Sequence, residues 1–396
     1  MIRRKSDDMN SRGPAHDTAS LRLLVAVLLF LASLLAVMPA QTYDLWKASI
    51  AGAELGHFVA IAAALTLLIP GWWRSVLGQL AGGITVVAIG LALSPLVRAY
   101  AATRELDRSM DAAFGPVPAD SSSQPIVLSQ LIKWPELSGV TVRTLHYAVR
   151  DNKPLELDLY RVGDTTVARP LVVTIHGGSW AGGERTDLPS LNYYLARRGY
   201  TVAALNYRLA PDHPFPAATQ DVNDAVSYLE SHARQLGIDP TKIVLLGRSA
   251  GGQLALQSAY TTSDSSIKGV VALYAPTDQQ WGWEHPANVR VYDSYSVLRR
   301  FLNGEPSQVP DAYRQASPIN YIGSHTIPTL LIHGAMDPLV SVRQSARLDS
   351  ALAAAGRPHY FLELPWATHG CDYVFNGPCG QASTFAIDRF LKATLR

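Results

Sequence analysis

The residues with the clearest chemical potential lie in the glycine-rich pentapeptide GRSAG at residues 247–251. A short apolar run at 243–246 precedes it and predicts a buried strand, while residues 253–257 have helical character. A strand, a sharp turn and a helix in this order form a nucleophile elbow, in which Ser249 lies on the turn. The helix directs its positive end at that place. A serine hydroxyl alone is a weak nucleophile, so this pattern requires a base, an acid and donors for developing negative charge elsewhere in the chain.

Candidates for the acid and the base follow two later apolar runs. Asp337 lies in HGAMD, directly after the predicted strand at 329–332, and His369 lies in PWATHG, directly after the predicted strand at 360–364. Taken singly, Asp337 could cap a turn and His369 could be structural. Together, the order Ser249, Asp337, His369 is the nucleophile, acid and base order expected after a nucleophile elbow.

Donors for the negative charge are predicted in HGGSW, which begins at His176 after the apolar run at 171–175. The flexible glycines allow the backbone N–H groups of Gly177 and Gly178 to turn towards the site, and the amide of Ala250 at the start of the helix is a third candidate. An isolated His-Gly-Gly is often an ordinary turn. Its position after a strand and upstream of the elbow favours the donor interpretation.

The elements that must position these residues are strands alternating with helices from about residue 139 to the end of the sequence. Alternating patterns at 140–147 and 155–160 predict an antiparallel opening pair. The later alternation of apolar runs and helical stretches predicts a mostly parallel sheet, which binds ligands beyond the carboxyl ends of its strands. Those later predicted strands are 171–175, 202–205, 243–246, 269–273, 329–332 and 360–364, and the predicted helices are 187–198, 217–236, 342–355 and 381–395.

The first hundred residues hold most of the apolar excess in a chain that is 48% hydrophobic and 17% charged. Apolar runs at 21–40, 50–69 and 76–97 are each long enough to cross a hydrocarbon layer of roughly 30 Å. We therefore predict a three-helix transmembrane region over 21–98, after a disordered cytoplasmic segment at 1–20. A cleaved signal peptide is the alternative interpretation of the first run.

Positive charges near the predicted spans give a modest topology bias. Six basic residues lie on one side of the predicted bilayer and four on the other. This predicts a multi-pass membrane protein with a cytoplasmic N-terminus and an extracytoplasmic catalytic domain, joined by a linker at 99–138. Glu54 and His57 share one helical face and are interpreted as interfacial structural residues, with a function inside the membrane as the alternative. The inner group comprises Arg3, Arg4, Lys5, Arg12, Arg22 and Arg74, and the outer group comprises Lys47, Arg98, Arg104 and Arg108.

The net charge bears on the possible partners of the chain, and the cysteines bear on its compartment. The net charge is +2, with no basic cluster in the C-terminal part, which argues against nucleic acid as a partner. Cys371 and Cys379 are the two cysteines of the chain and follow His369 closely. In an oxidising compartment they would form a disulfide, and in the cytosol they would be free thiols; the charge bias favours the disulfide.

The chain from about residue 140 to its end resembles the α/β-hydrolases of the hormone-sensitive-lipase-like esterase group and the related BD-FAE-type carboxylesterases. The resemblance covers none of the first hundred residues. Two departures leave the subfamily and the preferred acyl or alcohol group open: Arg248 replaces a usual aspartate, and Ser179 replaces a third glycine. The motifs that carry the resemblance are HGGSW at 176–180, YRLAPDHPFPAA at 207–218, GRSAGG at 247–252, HGAMDP at 333–338 and THG at 368–370.

The resemblance implies a serine carboxylesterase or lipase-like hydrolase that needs no metal or organic cofactor. Ser249 would attack an ester carbonyl, His369 would take its proton, and Asp337 would orient the imidazole. His333 is interpreted as structural rather than as a second base. The expected partners are a small-molecule ester, with lipid-derived esters as one candidate, and the bilayer; the oligomeric state is left open.

Other possibilities remain at this stage. The same triad serves amidases, formamidases and peptidases of related folds, and a catalytically idle, membrane-tethered binding domain is a third possibility, although no triad residue is missing. An insertion at 276–322 is predicted to roof the pocket. Its aromatic residues could receive an apolar group or could simply pack the insertion against the body. They are Trp281, Trp283, Tyr292, Tyr295 and Phe301.

Overall fold

The computed structural model describes residues 14–117 and 124–396. The prediction of disorder at 1–20 therefore falls largely outside the described residues. Its last part is corrected, because the first helix, α1, spans Pro14–Leu34 and includes the polar residues before the apolar run. Residues 118–123 of the predicted linker also lie outside the described part.

A sheet of eight strands forms the centre of the described C-terminal part, in the order β1-β2-β4-β3-β5-β6-β7-β8. The pairs β1/β2 and β2/β4 are antiparallel and the remaining neighbours are parallel, which confirms the predicted mostly parallel sheet with an antiparallel opening pair. The strands are β1 Thr141–Arg150, β2 Lys153–Arg161, β3 Arg169–Ile175, β4 Thr201–Leu205, β5 Ile238–Arg248, β6 Ile267–Leu273, β7 Thr329–Gly334 and β8 His359–Leu364.

Helices cover both faces of this sheet, so its central strands are buried on both sides. In β5, Ile243 and Leu245 contribute to one hydrophobic cluster while Val244 and Leu246 contribute to the other. Because successive side chains point to opposite faces, only a continuous apolar run satisfies both. The helices of this part are α6 Ser190–Arg197, α7 Ala217–Ser231, α8 Ala233–Leu236, α9 Ala250–Thr261, α10 Gln279–Glu284, α11 Ser294–Leu302, α12 Pro310–Gln315, α13 Arg343–Ala354 and α14 Pro378–Thr394.

The N-terminal helices differ from the three continuous spans that were predicted. The predicted span at 50–69 is divided between α2, Tyr43–Glu54, and α3, Gly56–Leu68, which are bent by 69°. In the described residues one helix, α4 at Val76–Thr103, is long and apolar enough to cross a membrane, and a second joins it if the bent pair counts as one span. The apolar part of α1, Thr18–Leu34, is shorter. Three spanning helices are therefore not confirmed.

The predicted linker is wrong between 101 and 114, because this segment is helical and packs on the domain. α4 continues to Thr103, and α5 spans Leu106–Phe114. Leu106 and Met110 are buried, and the Phe114 ring meets the Phe390 ring edge-on at 4.9 Å between centroids. Residues four apart on a helix share a face, so this short apolar stripe docks α5 against α14.

Glu54 at the end of α2 joins the N-terminal helices to the C-terminal domain. Its buried carboxylate accepts a hydrogen bond from the backbone N–H of Cys379 at 2.8 Å and one from Trp366 Nε1 at 3.3 Å. His57 Nε2 donates to the backbone oxygen of Leu131 at 3.1 Å. Both side chains thus contact parts of the chain more than seventy residues away. The predicted shared helical face is wrong, because Glu54 ends α2 and His57 lies on α3, across the 69° bend.

Candidate active site

The turn between β5 and α9 holds Ser249 in a conformation that the surrounding glycines make possible. Ser249 has a φ of +53°, in the region that side-chain-bearing residues adopt rarely. A Cβ on Gly247 would lie 2.0 Å from the backbone oxygen of Gly251. A Cβ on Gly251 would lie 2.3 Å from the backbone oxygens of Ile175 and His176. The elbow therefore fits against the end of β3 only with glycine at both positions.

The structure brings Ser249, His369 and Asp337 together from three separate loops. His369 Nδ1 lies 2.6 Å from Asp337 Oδ2, and His369 Nε2 lies 3.0 Å from Ser249 Oγ. A carboxylate can only accept, so Nδ1 carries the proton and Nε2 is free to accept the serine O–H. This geometry allows a proton to pass from Ser249 Oγ to His369 Nε2.

Hydrogen bonds to both carboxylate oxygens hold the Asp337 side chain in place. Its side chain is fully buried, and its Oδ1 accepts from the backbone N–H groups of Leu339 at 2.8 Å and Val340 at 2.9 Å. Burial by itself raises the pKa of Asp337, but the charge of His369 and hydrogen bonds from His333 and His369 outweigh it, so the net pKa lies below its ordinary value. Asp337 therefore remains a carboxylate that can orient His369.

His333 contacts the same carboxylate oxygen of Asp337 as His369 does. Its Nε2 lies 3.1 Å from Asp337 Oδ2 and 2.9 Å from the backbone oxygen of Val340, while Nδ1 lies 2.8 Å from Ser345 Oγ. A carbonyl oxygen only accepts, so Nε2 bears the proton and Nδ1 accepts from the serine. The fully buried ring has both nitrogens occupied, which accords with its interpretation as a structural residue.

The predicted oxyanion donors lie beside Ser249. A Cβ added to Gly177 would lie 3.3 Å from Ser249 Cβ, so the chain at Gly177 passes close to Ser249. Among the described residues, no acceptor bonds to the backbone N–H groups of Gly177 or Gly178. Ala250 is the first residue of α9, where backbone N–H groups are free of helical partners. The three amides are thus available for an oxygen anion.

A cavity of about 290 Å³ opens over Ser249 and His369. Two of its walls were not predicted, because they come from α2, more than two hundred residues before Ser249: Tyr43 and Trp46. The side chains of Tyr274 and Tyr373 line the same space. The full lining is Tyr43, Trp46, His176, Gly177, Gly178, Ser179, Gly183, Asp187, Leu188, Arg248, Ser249, Tyr274, Tyr292, Leu339, His369, Gly370 and Tyr373.

A second cavity of about 250 Å³ lies under the insertion and shares Tyr292 and Leu339 with the first. The Tyr292 hydroxyl and Ser179 Oγ are 2.7 Å apart, and burial raises the pKa of Tyr292 to about 12. Of the five aromatic residues singled out in the insertion, Trp281 and Tyr292 line cavities. The others pack: Trp283 against Tyr295 and Tyr313, and Phe301 against Trp180. Packing is therefore the role of three of the five residues, and receiving an apolar group stays a prediction for Trp281 and Tyr292.

Arg248, which departs from the resembled motif, has an acidic partner elsewhere in the chain. Its Nε donates to Asp372 Oδ2 at 2.5 Å, and the Tyr274 hydroxyl donates to Asp372 Oδ1 at 2.5 Å. All three side chains are buried, and the Tyr274 ring lies 4.6 Å from that of His369. Burial and the Asp372 charge raise the pKa of Tyr274 well above its ordinary value, so it stays a neutral donor. The sequence analysis did not identify Asp372 as the partner of Arg248. Its position next to Cys371, in the loop after His369, was the one available signal that it lies near the site.

The predicted disulfide between Cys371 and Cys379 is confirmed by the structure, with their Cα atoms 5.8 Å apart. It closes the loop that starts two residues after His369 and contains Asp372. In the described part of the chain no group of three or more histidine, cysteine or acidic side chains could hold a metal ion.

Comparison with known sequences bears on the kind of chemistry. A family model described as BD-FAE matches residues 157–352. Esterase LipC of Mycobacterium tuberculosis is 30% identical over 260 residues, which cover 61% of this chain and 62% of that protein. The probable carboxylic ester hydrolase LipM of the same organism is 28% identical over 254 residues, 59% of this chain and 57% of its own length. These matches support an α/β-hydrolase esterase family, and this chain spans less than two thirds of either relative.

Comparison with solved structures bears on the fold. A structure described as a bacterial heroin esterase superposes with a TM-score of 0.58, covering 75% of this chain and 93% of that chain at 23% sequence identity. A truncated carbohydrate esterase from gut microbiota superposes with a TM-score of 0.55, covering 66% of this chain and all of that chain at 22% identity. The part of the chain that contains the sheet therefore has the α/β-hydrolase fold.

The glycine contacts of the elbow make a prediction. Gly251→Ala places a methyl group against two backbone oxygens that cannot move without displacing β3, so Ser249 should lose its alignment with His369. We expect covalent labelling of Ser249 by a fluorophosphonate to slow by at least about a hundredfold. Gly323→Ala is the matched control, since nothing lies within 4 Å of a Cβ there, and wild-type labelling by the Gly251 variant would contradict the account.

Proposed function

We propose that this protein is a serine hydrolase that cleaves carboxylic esters through an acyl-enzyme. The observation that carries the proposal is the hydrogen-bonded series of Ser249, His369 and Asp337, with 3.0 Å and 2.6 Å between the bonded atoms. The esterase names of the sequence relatives support ester hydrolysis in particular.

In the proposed reaction, Ser249 Oγ attacks the ester carbonyl carbon while its proton passes to His369 Nε2. The amides of Gly177, Gly178 and Ala250 stabilise the oxygen anion of the tetrahedral intermediate. His369 then donates its proton to the leaving alkoxide as the carbon–oxygen bond breaks, leaving an acyl group on Ser249. A water molecule then attacks the acyl carbon while His369 takes its proton. His369 returns this proton to Ser249 Oγ as the bond between Oγ and the acyl carbon breaks and the acid leaves. Throughout, Asp337 stabilises the imidazolium.

Amide cleavage is the second candidate, because the same groups could attack an amide. The esterase names of the sequence relatives favour the ester, and the tyrosine and tryptophan side chains of the cavity suit an ester with an apolar group. A purely binding role has the least support, because Ser249, His369 and Asp337 form a hydrogen-bonded series.

The direct prediction concerns hydrolysis of p-nitrophenyl esters by the full chain in detergent micelles. Ser249→Ala removes the nucleophile and should lower kcat by at least about a thousandfold, and Asp337→Asn should lower it by a factor on the order of 10⁴ because it favours the wrong imidazole tautomer. The readout is nitrophenolate release across acyl chains of two to twelve carbons, alongside an anilide series.

The matched control is Ser263→Ala, an exposed serine that lines neither of the two cavities, which should retain wild-type rates on every ester. Ester hydrolysis that persists in the Ser249 variant would contradict the proposal. Faster turnover of the anilides than of the esters would favour the amide alternative.

We also propose that the N-terminal helices anchor the protein in a bilayer, with the C-terminal domain on the extracytoplasmic side. Large apolar side chains are exposed along three of these helices, where no described residue covers them. The disulfide supports an oxidising compartment, and lipid-derived esters would then lie within reach. The exposed residues are Leu21, Leu24, Leu28 and Leu31 on α1, Phe58, Ile61, Leu65 and Leu68 on α3, and Val76, Leu80, Val86, Val87 and Val97 on α4.

Fractionation and reporter fusions test this anchoring. The full chain should remain with membranes after alkaline carbonate extraction, because buried apolar area rather than charge retains it. Alkaline phosphatase fused after Arg396 should be active, since it matures only outside the cytoplasm, whereas a fluorescent reporter that matures only in the cytoplasm should stay dark. Release by carbonate would contradict anchoring, and the opposite reporter pattern would contradict the topology.

A further inference from the structure

The helix α2 lies against the candidate active site and is fixed at three points. At its start, the backbone N–H of Tyr43 donates to the backbone oxygen of Arg290 in the insertion at 3.2 Å. In its first turn, Trp46 Nε1 donates to the backbone oxygen of His369 at 3.0 Å. At its end, Glu54 accepts from the backbone of Cys379. The helix thus connects the insertion to both ends of the loop that follows His369.

The contact of Trp46 with His369 is of a kind that can control the base. The indole N–H bonds to the backbone of His369 itself, and the two rings lie 6.2 Å apart at an angle of 58°. The next residue, Gly370, has a φ of +71°, so the backbone turns sharply where the indole holds it. A hydrogen bond at this point fixes the position of the His369 backbone and, through it, the direction of the imidazole towards Ser249.

Tyr43 and Trp46 also form one side of the cavity over Ser249. Their rings pack against each other at 5.2 Å and 52°, and both line the space. Of the charged side chains in this lining, Arg248 pairs with Asp372, and Asp187 accepts a hydrogen bond from the backbone N–H of Glu184. What this side offers a ligand is therefore aromatic surface, which suits an aliphatic chain or a planar ring.

We propose that Trp46 is a positioning residue for His369 and that Tyr43 and Trp46 determine specificity for esters with a bulky apolar acyl or alcohol group. The N-terminal helices then complete the substrate site in addition to anchoring the chain. This inference rests on the proposed ester hydrolysis, and it requires that the site be assayed in the full chain, because a fragment that begins after α2 lacks both aromatic walls.

Two substitutions separate the positioning role from the wall. Trp46→Phe keeps an aromatic wall but removes the N–H donor, so kcat should fall by about three- to tenfold for every ester, with KM unchanged. Tyr43→Ala shortens the wall and leaves the indole bond intact, so KM should rise by roughly tenfold for p-nitrophenyl octanoate or 1-naphthyl acetate and stay unchanged for p-nitrophenyl acetate. Leu45→Ala, on the same helix but outside the cavity lining, should behave as wild type.

The rate of Ser249 labelling by ethyl and dodecyl fluorophosphonates is measured beside turnover, and thermal unfolding shows that each variant is folded. A wild-type chain that neither labels nor hydrolyses any ester overturns the proposed function and this inference together. A reactive wild-type chain whose Trp46→Phe and Tyr43→Ala variants are folded and keep wild-type kcat, KM and labelling rates overturns only the inference. Slower labelling of Trp46→Phe by both probes, and of Tyr43→Ala by the dodecyl probe alone, supports it.

Discussion

The hydrogen bond between Asp337 and His369 is the interaction on which the rest of the site depends. It is short, at 2.6 Å, and its acceptor is completely buried. A buried carboxylate is costly unless its oxygens are satisfied, and here two backbone N–H groups, His333 and His369 share that task. Because Asp337 is held by so many groups, the imidazole has a fixed tautomer and a fixed direction.

The other half of the arrangement fixes the loop that carries His369. This loop follows β8 and contains the disulfide. It accepts hydrogen bonds from Trp46 and Arg248 and donates one to Glu54, all of them distant in sequence. Two of these contacts come from α2 and one from the nucleophile elbow, and all three end in the segment 369–379. The base is thus held between a rigid carboxylate and a loop that the nucleophile elbow and the N-terminal helices both support.

Local signals explain what the sequence predicted well. Residues next to one another in the sequence were enough to predict the buried strand β5, the sharp turn at Ser249 and the loops after β7 and β8. The candidate residues also follow their strands in the order in which those strands occur along the chain. The same is true of the bridge between Cys371 and Cys379, eight residues apart. These features can be predicted without knowing which distant residues contact them.

The features that were missed depend on distant contacts. Trp46 and His369 are 323 residues apart, so no periodicity or motif links them. The bend between α2 and α3 was missed because the run at 50–69 was interpreted as one span although Glu54 and His57 interrupt it, while Gly56 allows a close approach to the backbone of Ala92 that only the fold reveals. The segment at 101–114 was interpreted as a linker because α5 is nine residues long, too short for its apolar stripe to stand out.

The central claim is that Ser249 becomes covalently acylated with the help of His369. Its most direct test is to mix the full chain with p-nitrophenyl acetate, stop the reaction with acid within milliseconds and locate the acetyl group by peptide mass spectrometry. The account predicts an acetyl group on Ser249 in the wild-type chain and none in a His369→Ala variant on the same timescale. An acetyl group on another residue, or hydrolysis without any acetylated serine, would contradict it.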